Sequence, residues 1–282
     1  MRVRIAVDRL HEPDAVIDVG AAWAARLGAT VDLLFVHPAE PTPEEVADHA
    51  LLLKRVPAAL RGVALVKRGR PADQIVTDLE GCDVLMLGTH GWRGLAHLVL
   101  GSVAERVVRT CPVPVLVLRT APAKGPIRAL VALDASRPAA AETLDLALPW
   151  LQQLGARVDL VHVEALADTT PVWMDPATMD VSVQTVVFEA LARQRERDKA
   201  TLARHLAHLP ESMRGIAHFT DGEPSQRVAD VAENYDLTVL ATHGRAGFDR
   251  LWLGSVTENA LRHVAKTVLV LRHPEAAAGA PT

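Results

Sequence analysis

Two segments of the chain repeat one pattern of glycine, histidine and serine. Residues 88–102 read GTHGWRGLAHLVLGS, and residues 241–255 read ATHGRAGFDRLWLGS. The central glycines (91 and 244) and the later Gly-Ser pairs (starting at 101 and 254) are both 153 positions apart. Glycine has no Cβ and tolerates positive φ, so backbone N–H groups beside it can approach an anion closely. The pattern indicates two copies of one domain, each with a candidate phosphate-binding loop.

The end of each segment is typical of a helix start. Ser102-Val-Ala-Glu105 and Ser255-Val-Thr-Glu258 both predict a capping box. A helix start offers unpaired N–H groups and the positive end of the helix dipole, and both suit a phosphate. The alternative is that the serines only cap helices and the glycines only turn the chain. Because the pattern occurs twice, each time after a strand and before a helix, we favour an anion site.

Other polar residues lie near these loops without a decided role. Asp8 and Asp134 each follow the first apolar run of their half, where a carboxylate could accept hydrogen bonds from a ribose or a base. Either could instead cap the next helix, and the pattern does not separate the two roles. His90 and His243 occupy matching turn positions and are more typical of turn residues than of phosphate donors or pH switches.

The elements that would position these residues alternate along the chain. Continuous β-branched runs predict buried parallel strands, and helical spacing separates them. The predicted strands are Val3–Val7, Val31–Val36, Val63–Val66, Val84–Leu87, Val113–Leu118, Ala129–Leu133, Val158–Val163, Ile216–Phe219, Thr238–Leu240 and Thr267–Leu271. The alternation predicts an α/β fold of two tandem, doubly wound, parallel five-stranded sheets of the Rossmann-like kind.

The repeat also predicts domain boundaries. We place one domain at residues 1–120 and the second at 127–273, with a turn or hinge between them. Asp8 and Asp134 are 126 positions apart, whereas the later landmarks are 153 apart, so the second half carries about 27 extra residues. We assign this insertion to the segment around 164–209.

Composition excludes several classes of protein. A net charge of −4 argues against a nucleic-acid surface, and no apolar run reaches the length of a membrane span. The start of the chain, MRVRIAVD, predicts a strand rather than a signal peptide. Cys82 and Cys111 are typical of buried thiols in a reducing compartment. We therefore expect a cytoplasmic protein without nucleic-acid or membrane partners.

Together these residues resemble the universal stress protein family in its tandem form. Nucleotide-binding members of that family show Gly-x2-Gly-x9-Gly-(Ser/Thr), which Gly88, Gly91, Gly101 and Ser102 match in full. The likeness extends to a Gly-x-Pro before a helix in each half, at residues 69–71 and 222–224. The family's fold is similar to that of adenine nucleotide alpha hydrolases, which agrees with the alternation above.

The resemblance implies an ATP site in each half, commonly with Mg²⁺ on the triphosphate. It implies that Asp8 and Asp134 contact the base or ribose and that the backbone of Val36 and Val163 meets adenine. It also implies that the ribose and phosphates are held by Gly88, Gly91, Gly101, Ser102, Val103, Gly244, Gly254, Ser255 and Val256. The chain departs from the family pattern at Ala241, which replaces a glycine, and at residues 9–11, where Arg-Leu-His replaces a small turn.

The functional hypothesis is an ATP-binding stress-response protein in which the nucleotide regulates conformation or assembly. The alternatives are a protein-interaction module that binds no nucleotide and a slow ATPase. We assign no catalytic residue, because Asp8, His90 and Glu105 are candidates by proximity alone. The last strand of each half is apolar and could form a sheet edge, and the resemblance implies that these strands pair the halves into a pseudo-dimer. Bare edge strands leave a homodimer open.

Overall fold

The computed structural model describes residues 1–8, 12–88, 100–165, 181–242 and 255–273, with only the backbone described for residues 181–184 and 255. The described residues form ten strands and eight α-helices. The strands are β1 (Arg2–Val7), β2 (Thr30–His37), β3 (Arg61–Arg68), β4 (Val84–Gly88), β5 (Val115–Leu118), β6 (Arg128–Ala132), β7 (Arg157–Glu164), β8 (Arg214–Asp221), β9 (Leu237–Thr242) and β10 (Thr267–Arg272). The helices are α1 (Pro13–Leu27), α2 (Pro43–Leu53), α3 (Pro71–Thr77), α4 (Ser102–Thr110), α5 (Ala139–Gln153), α6 (Val181–His208), α7 (Pro224–Ala232) and α8 (Ser255–His263).

All ten strands belong to one sheet in the order β3-β2-β1-β4-β5-β10-β9-β6-β7-β8. Within each half the pairing is parallel, as the continuous apolar runs predict. The two halves join through β5 and β10, which pair antiparallel with Val117 opposite Val268. The α/β class and the pairing of the last strands are therefore confirmed. Each half contributes five strands, as predicted, and the pairing of the last strands joins the two halves into one continuous ten-stranded sheet.

Two apolar layers cover the sheet, and each extends across both halves. Helices α1, α2, α5 and α6 pack on one face, where Trp23, Phe35 and Leu151 are almost fully buried. Helices α3, α4, α7 and α8 pack on the other face. At roughly 25 cal/mol per Å² of apolar surface buried, each large aliphatic side chain contributes about 1.5–3 kcal/mol. The shared layers couple the stability of the halves.

Helices α4 and α8 meet in a pseudo-symmetric set of ion pairs. Arg109 contacts Glu105 at 3.0 Å and Glu258 at 2.7 Å, and Arg262 contacts Glu105 at 3.0 Å and Glu258 at 3.3 Å. The second pair of residues repeats the first at the 153-residue spacing of the motifs. The four side chains form a ring across the pseudo-two-fold axis.

Two further arginines cross between the halves. Arg119 donates to the carbonyl of Leu261 in α8, and Arg272 donates to the carbonyl of Arg109 in α4. Each guanidinium thus lies at the negative end of the other half's helix, where a cation is stabilised. Burial lowers the pKa of Arg119 to about 10 and also lowers that of Arg272.

The insertion and the linker have distinct structures. Helix α6 has 28 residues, whereas α2, its counterpart in the first half, has 11. The remainder of the inserted segment, residues 166–180, falls outside the described residues. Arg26 of α1 donates to the linker carbonyls of Ala123 and Gly125, so α1 holds the linker against the first half. Within the described ranges, no helix is long and apolar enough to cross a membrane.

Candidate functional site

The sheet reverses its strand order at two matching places. In the first half β1 lies between β2 and β4, and in the second half β6 lies between β7 and β9. Doubly wound sheets bind ligands in the crevice at the carboxyl edge of such a switch point. Asp8 follows β1 directly, and Gly88 ends the adjacent β4. Asp134 lies two residues beyond β6, and Ala241 lies near the end of the adjacent β9.

The two aspartates are both exposed, but the second is held in a turn. Its Oδ1 accepts from the Ser136 N–H at 3.1 Å and from the Ser136 hydroxyl at 2.5 Å. The other carboxylate oxygen lies 2.8 Å from Arg137 Nε. Helix α5 begins only at Ala139, with Pro138 as its N-cap, so Asp134 does not cap that helix. The helix-capping alternative is wrong for Asp134, whose side chain closes the turn before the helix.

The valines expected to border adenine lie one residue before the last residue of their strands. Val36 in β2 and Val163 in β7 are half-buried, and both pack on the face covered by α3, α4, α7 and α8. The next residues extend toward the carboxyl edge. His37 Nε2 lies 3.1 Å from His49 Nε2 of α2, whereas Glu164 pairs with Arg195 of α6 at 2.8 Å. The last residues of β2 and β7 therefore contact their neighbouring helices through different groups, a histidine pair in the first half and an ion pair in the second.

Packing explains why residue 88 is a glycine, and the motif does not reveal this reason. A Cβ at this position would lie 2.5 Å from Cγ2 of Val16, so α1 occupies the space a side chain needs. Gly88 does not have positive φ, which corrects the expected use of that conformation. In the second half the position equivalent to Val16 is Thr143, whose hydroxyl lies 3.3 Å from His273 Nε2. In the second half both positions therefore differ: Ala241 replaces Gly88, and Thr143 of α5 replaces Val16 of α1.

The start of α4 differs from the capping box that the sequence predicts. Gly101 is the N-cap of α4, with φ −64° and ψ 154°, and Ser102 is the first helical residue. The Glu105 N–H bonds to the Gly101 carbonyl at 2.9 Å, while its carboxylate pairs with Arg109 and Arg262. The expected Ser102–Glu105 box is therefore wrong, and Glu258 makes the equivalent ion pairs beside Ser255.

These starts still present helix N–H groups at the sheet edge. The first turn of a helix leaves its N–H groups without intrahelical partners, which for α4 includes those of Ser102 and Val103. Ser102 is exposed, Val103 is half-buried, and Val256 of α8 is 43% exposed. The Thr257 hydroxyl donates to the Ala241 carbonyl at 3.2 Å, which fixes the start of α8 against the end of β9.

The central loops of both motifs cannot be compared with the expectations. Gly91, Gly244 and Gly254 fall outside the described residues, as do His90 and His243. In the part of the chain that the structure describes, no three His, Cys, Asp or Glu side chains converge to hold a metal ion.

Sequence reasoning missed the residues that join the halves beside these starts. The sequence pattern predicts capping boxes at Glu105 and Glu258 and no role for Arg109 and Arg262. The available signal was their identity at the 153-residue spacing, which places matching charges on both sides of a pseudo-two-fold axis. The spacing alone does not show that α4 and α8 face each other. That follows from the antiparallel pairing of β5 with β10.

A duplicated α/β half with a switch point in its strand order defines the class of fold, and comparison with known proteins gives the family. The Universal stress protein family matches residues 1–119 and 128–272, so the chain belongs to this family. It is 26% identical to the universal stress protein Rv2005c of Mycobacterium tuberculosis over 302 aligned positions, covering 95% of this chain and 96% of that protein. A universal stress protein of Thermus aquaticus is 34% identical over 138 positions, covering 42% of this chain and 97% of the relative.

Solved structures show the same two-half fold. A protein of unknown function from Pseudomonas aeruginosa PAO1, PA1789, superposes with a TM-score of 0.71 at 16% identity, covering 99% of this chain and 95% of its own. A universal stress protein from Archaeoglobus fulgidus superposes with a TM-score of 0.59 at 17% identity, covering 96% of each chain. At such identities the likeness concerns the fold alone.

Proposed function

We propose that the chain is a cytoplasmic stress-response protein that binds ATP and is regulated by it. The nucleotide would occupy the carboxyl edge of each half, in units spanning residues 1–120 and 127–273, and would shift conformation or assembly. The observation that carries the proposal is the paired geometry. Each switch point has an aspartate after one strand, a small residue near the end of the next, and a helix start to supply N–H groups.

The described residues indicate how the nucleotide would be bound. Asp8 and Asp134 accept from ribose or base, and the backbone of Val36 and Val163 borders adenine. The helix starts then provide N–H donors for phosphate at Gly101, Ser102 and Val103 and at Ser255 and Val256, with Gly88 behind them in the first half. Gly91, Gly244 and Gly254 complete the loops, and Mg²⁺ neutralises the phosphates.

A thermal and chemical unfolding series tests nucleotide binding. The full chain is unfolded with ATP, ADP or AMP, each with and without Mg²⁺. A ligand at 100 times its dissociation constant should stabilise the fold by about 2.7 kcal/mol. Unchanged stability with all three nucleotides, together with a flat calorimetric titration, would remove the proposal.

Matched glycine variants assign binding to one half or the other. Gly91→Val should block phosphate approach in the first half, and Gly244→Val should do so in the second. Gly125→Val is the control, because a Cβ there meets nothing within 4 Å. Nucleotide affinity should fall for at least one motif variant while the unliganded chain keeps its stability. Equal affinity in both variants and the control would contradict the phosphate-loop assignment.

Slow hydrolysis and nucleotide-free protein interaction are the alternatives. Of the candidates for positioning a water, Glu105 already pairs with Arg109 and Arg262, which favours binding over chemistry. Phosphate release above background at saturating ATP would favour the ATPase instead. Homodimerisation remains a proposal supported by exposed Val63 and Ile216 on the two edge strands. Light scattering at several protein concentrations tests it.

A further inference from the structure

Each half buries one aspartate at the same place in its second strand. Asp32 in β2 and Asp159 in β7 accept from the backbone of the adjacent edge strand, at 3.0 Å from Val63 N and 2.9 Å from Ile216 N. Asp32 has no exposed surface, and Asp159 is 6% exposed. A buried carboxylate needs further hydrogen bonds or a cation to offset its lost hydration. The two halves meet that need differently.

The first half uses arginines. Arg2 of β1 contacts Asp32 Oδ2 at 3.2 Å, and Arg4 approaches the same oxygen at 4.0 Å. Arg4 also reaches Asp78 at 3.5 Å, just beyond the end of α3. The Arg2 cation is therefore compensated by the carboxylate it helps to bury.

The second half uses a tyrosine hydroxyl instead. Leu130 stands at the position of Arg4, and Tyr235 stands at the position of Cys82. The Tyr235 hydroxyl donates to Asp159 Oδ2 at 2.5 Å, and His218 Nε2 lies 2.8 Å from the phenol oxygen. Burial and the neighbouring Asp159 raise the pKa of Tyr235, so the phenol keeps its proton. It satisfies the carboxylate but supplies no charge to a nearby cation.

Arg128, the counterpart of Arg2, is left in a different environment. Its backbone N–H bonds to Asp236 at 2.9 Å, just as that of Arg2 bonds to Asp83 at 2.7 Å. Its guanidinium, however, lies over the Tyr235 ring, 5.0 Å from the centroid. Among the residues that the structure describes, no carboxylate forms an ion pair with it. Arg128 thus keeps the backbone hydrogen bond of its counterpart Arg2, but its guanidinium lies beside a tyrosine ring instead of a carboxylate.

This cation borders a groove of about 480 Å³ at the amino edge of the second half. The groove is lined by Arg128, Ile216, His218, Arg227, Asp230, Val231, Asn234 and Tyr235. Arg227 pairs with Asp230 at 3.2 Å, so its charge is already compensated. The nucleotide crevices lie at the opposite, carboxyl edge of the sheet. Arg128 is thus the cation of this groove that the described carboxylates leave available.

We propose that this groove binds a small oxyanion, a carboxylate or a phosphate group, through the guanidinium of Arg128. A guanidinium presents two parallel N–H donors that match two oxygens of either group. The guanidinium carbon lies over the Tyr235 ring, and the bonds of Tyr235 to Asp159 and His218 hold that ring in place. The first half makes no equivalent site, because Arg2 is paired with Asp32.

The chain supplies its own probe, because Tyr235 is its single tyrosine. Full-length protein carrying ¹³C-labelled tyrosine is titrated with inorganic phosphate in one experiment and with succinate in another, at constant ionic strength set with chloride. We expect a saturable shift of the one tyrosine ring signal with at least one probe. The responding probe identifies the oxyanion. A shift that is absent with both, or that chloride alone reproduces, would overturn the proposal.

Matched variants show whether Arg128 is the anchor. Arg128→Gln should weaken binding roughly tenfold or more, as expected for loss of hydrogen bonds from a charged donor. The affinity of Arg128→Lys should lie between those of the parent and Arg128→Gln, since lysine keeps the charge but loses the paired donors. Arg2→Gln should leave the affinity unchanged. Each variant is first checked for cooperative unfolding. Equal affinity in Arg128→Gln and the parent, or an equal loss in Arg2→Gln, would contradict the assignment.

Discussion

The two halves of the chain are most alike where they meet and least alike at their outer strands. At the centre, Glu105 and Arg109 reappear as Glu258 and Arg262, and each residue contacts both charges of opposite sign. Next to the outer strands, on β2 and β7, the equivalent aspartates Asp32 and Asp159 have different partners. A residue beside the pseudo-two-fold axis contacts its own half and the matching helix of the other half, so one substitution alters contacts in both. An outer position lacks that constraint.

The crevices lie between these extremes. Both retain an aspartate, a valine and a helix start in the same arrangement. The residue that follows each valine differs, with His37 beside His49 in one half and Glu164 paired with Arg195 in the other. The scaffold of the proposed site is therefore duplicated, whereas its connection to the neighbouring helix is specific to each half.

The largest expected difference concerns equivalent tryptophans in the first helix of each half. Trp23 is fully buried, and its indole N–H donates to the Thr120 carbonyl at 2.8 Å, whereas Trp150 is only partly buried. Trp23→Ala should lower the free energy of unfolding by roughly 3–5 kcal/mol. Trp150→Ala should cost less, about 2 kcal/mol or under. Urea unfolding measures both, and equal losses would show that the two helices pack equivalently.

The buried aspartates should give the next largest difference. Asp32→Asn removes the charge facing Arg2 and Arg4, and Arg4 is itself buried, so we expect a loss of about 3 kcal/mol. Asp159→Asn can still accept from Ile216 N–H and can donate to the Tyr235 oxygen, so the expected loss is about 1 kcal/mol. Asp230→Asn, at an exposed ion pair, is the control. A larger loss for Asp159→Asn would reverse the proposed contrast.

These contrasts mark what the sequence could and could not predict. The strands and helices were predictable, because buried parallel strands are continuous apolar runs and the repeat checks each assignment. The prediction for β7, Val158–Val163, lies within the observed Arg157–Glu164. The continuity of the sheet across the two halves was not predictable, because apolar last strands do not show whether one sheet runs through both halves. The partners of Asp159 were also hidden, because Tyr235 is 76 residues away along the chain.

For the proposed site, the placement of residues at strand ends was predictable, but their local bonding was not. Asp8 and Asp134 follow β1 and β6, the strands at which the sheet reverses its order. The capping box at Ser102 failed because Gly101 is the N-cap of α4, while the Glu105 carboxylate pairs with Arg262 across the axis. A local pattern cannot report competition from a helix of the other half. Likewise, residue 88 must be small because Val16 of α1 occupies the space of a side chain, and the local motif does not report a contact with another element.

Alkaline unfolding should distinguish Tyr235 from Cys82, its counterpart in the first half. The unfolded phenol loses its proton near pH 10, whereas the folded phenol keeps it because its pKa is raised. The unfolded chain then binds fewer protons, so stability falls above about pH 10, by up to ~1.4 kcal/mol per pH unit. Burial raises the pKa of Cys82 to about 11, so its contribution begins to fall nearer pH 9.

Tyr235→Phe separates the two contributions. This variant should lose stability less steeply above pH 10 than the parent, while both should weaken alike between about pH 9 and 10. Because the chain has a single tyrosine, phenolate absorbance also reports its ionisation directly. The absorbance should rise together with unfolding. Ionisation in the folded protein near pH 10 would contradict the buried hydrogen bond to Asp159.

The smallest expected effect tests the symmetry at the centre. Double-mutant cycles with glutamine at Glu105 and Arg262, and separately at Glu258 and Arg109, should each give a coupling energy of about 0.5 kcal/mol. The side chains of all four are 22–42% exposed, so solvent screens each pair, and about 1 M salt should reduce both couplings. Matched energies follow because the pairs are pseudo-symmetric copies, at 3.0 and 2.7 Å. A coupling confined to one cycle would mean that the halves differ even at their shared axis, and the contrast between a constrained centre and freer outer strands would then fail.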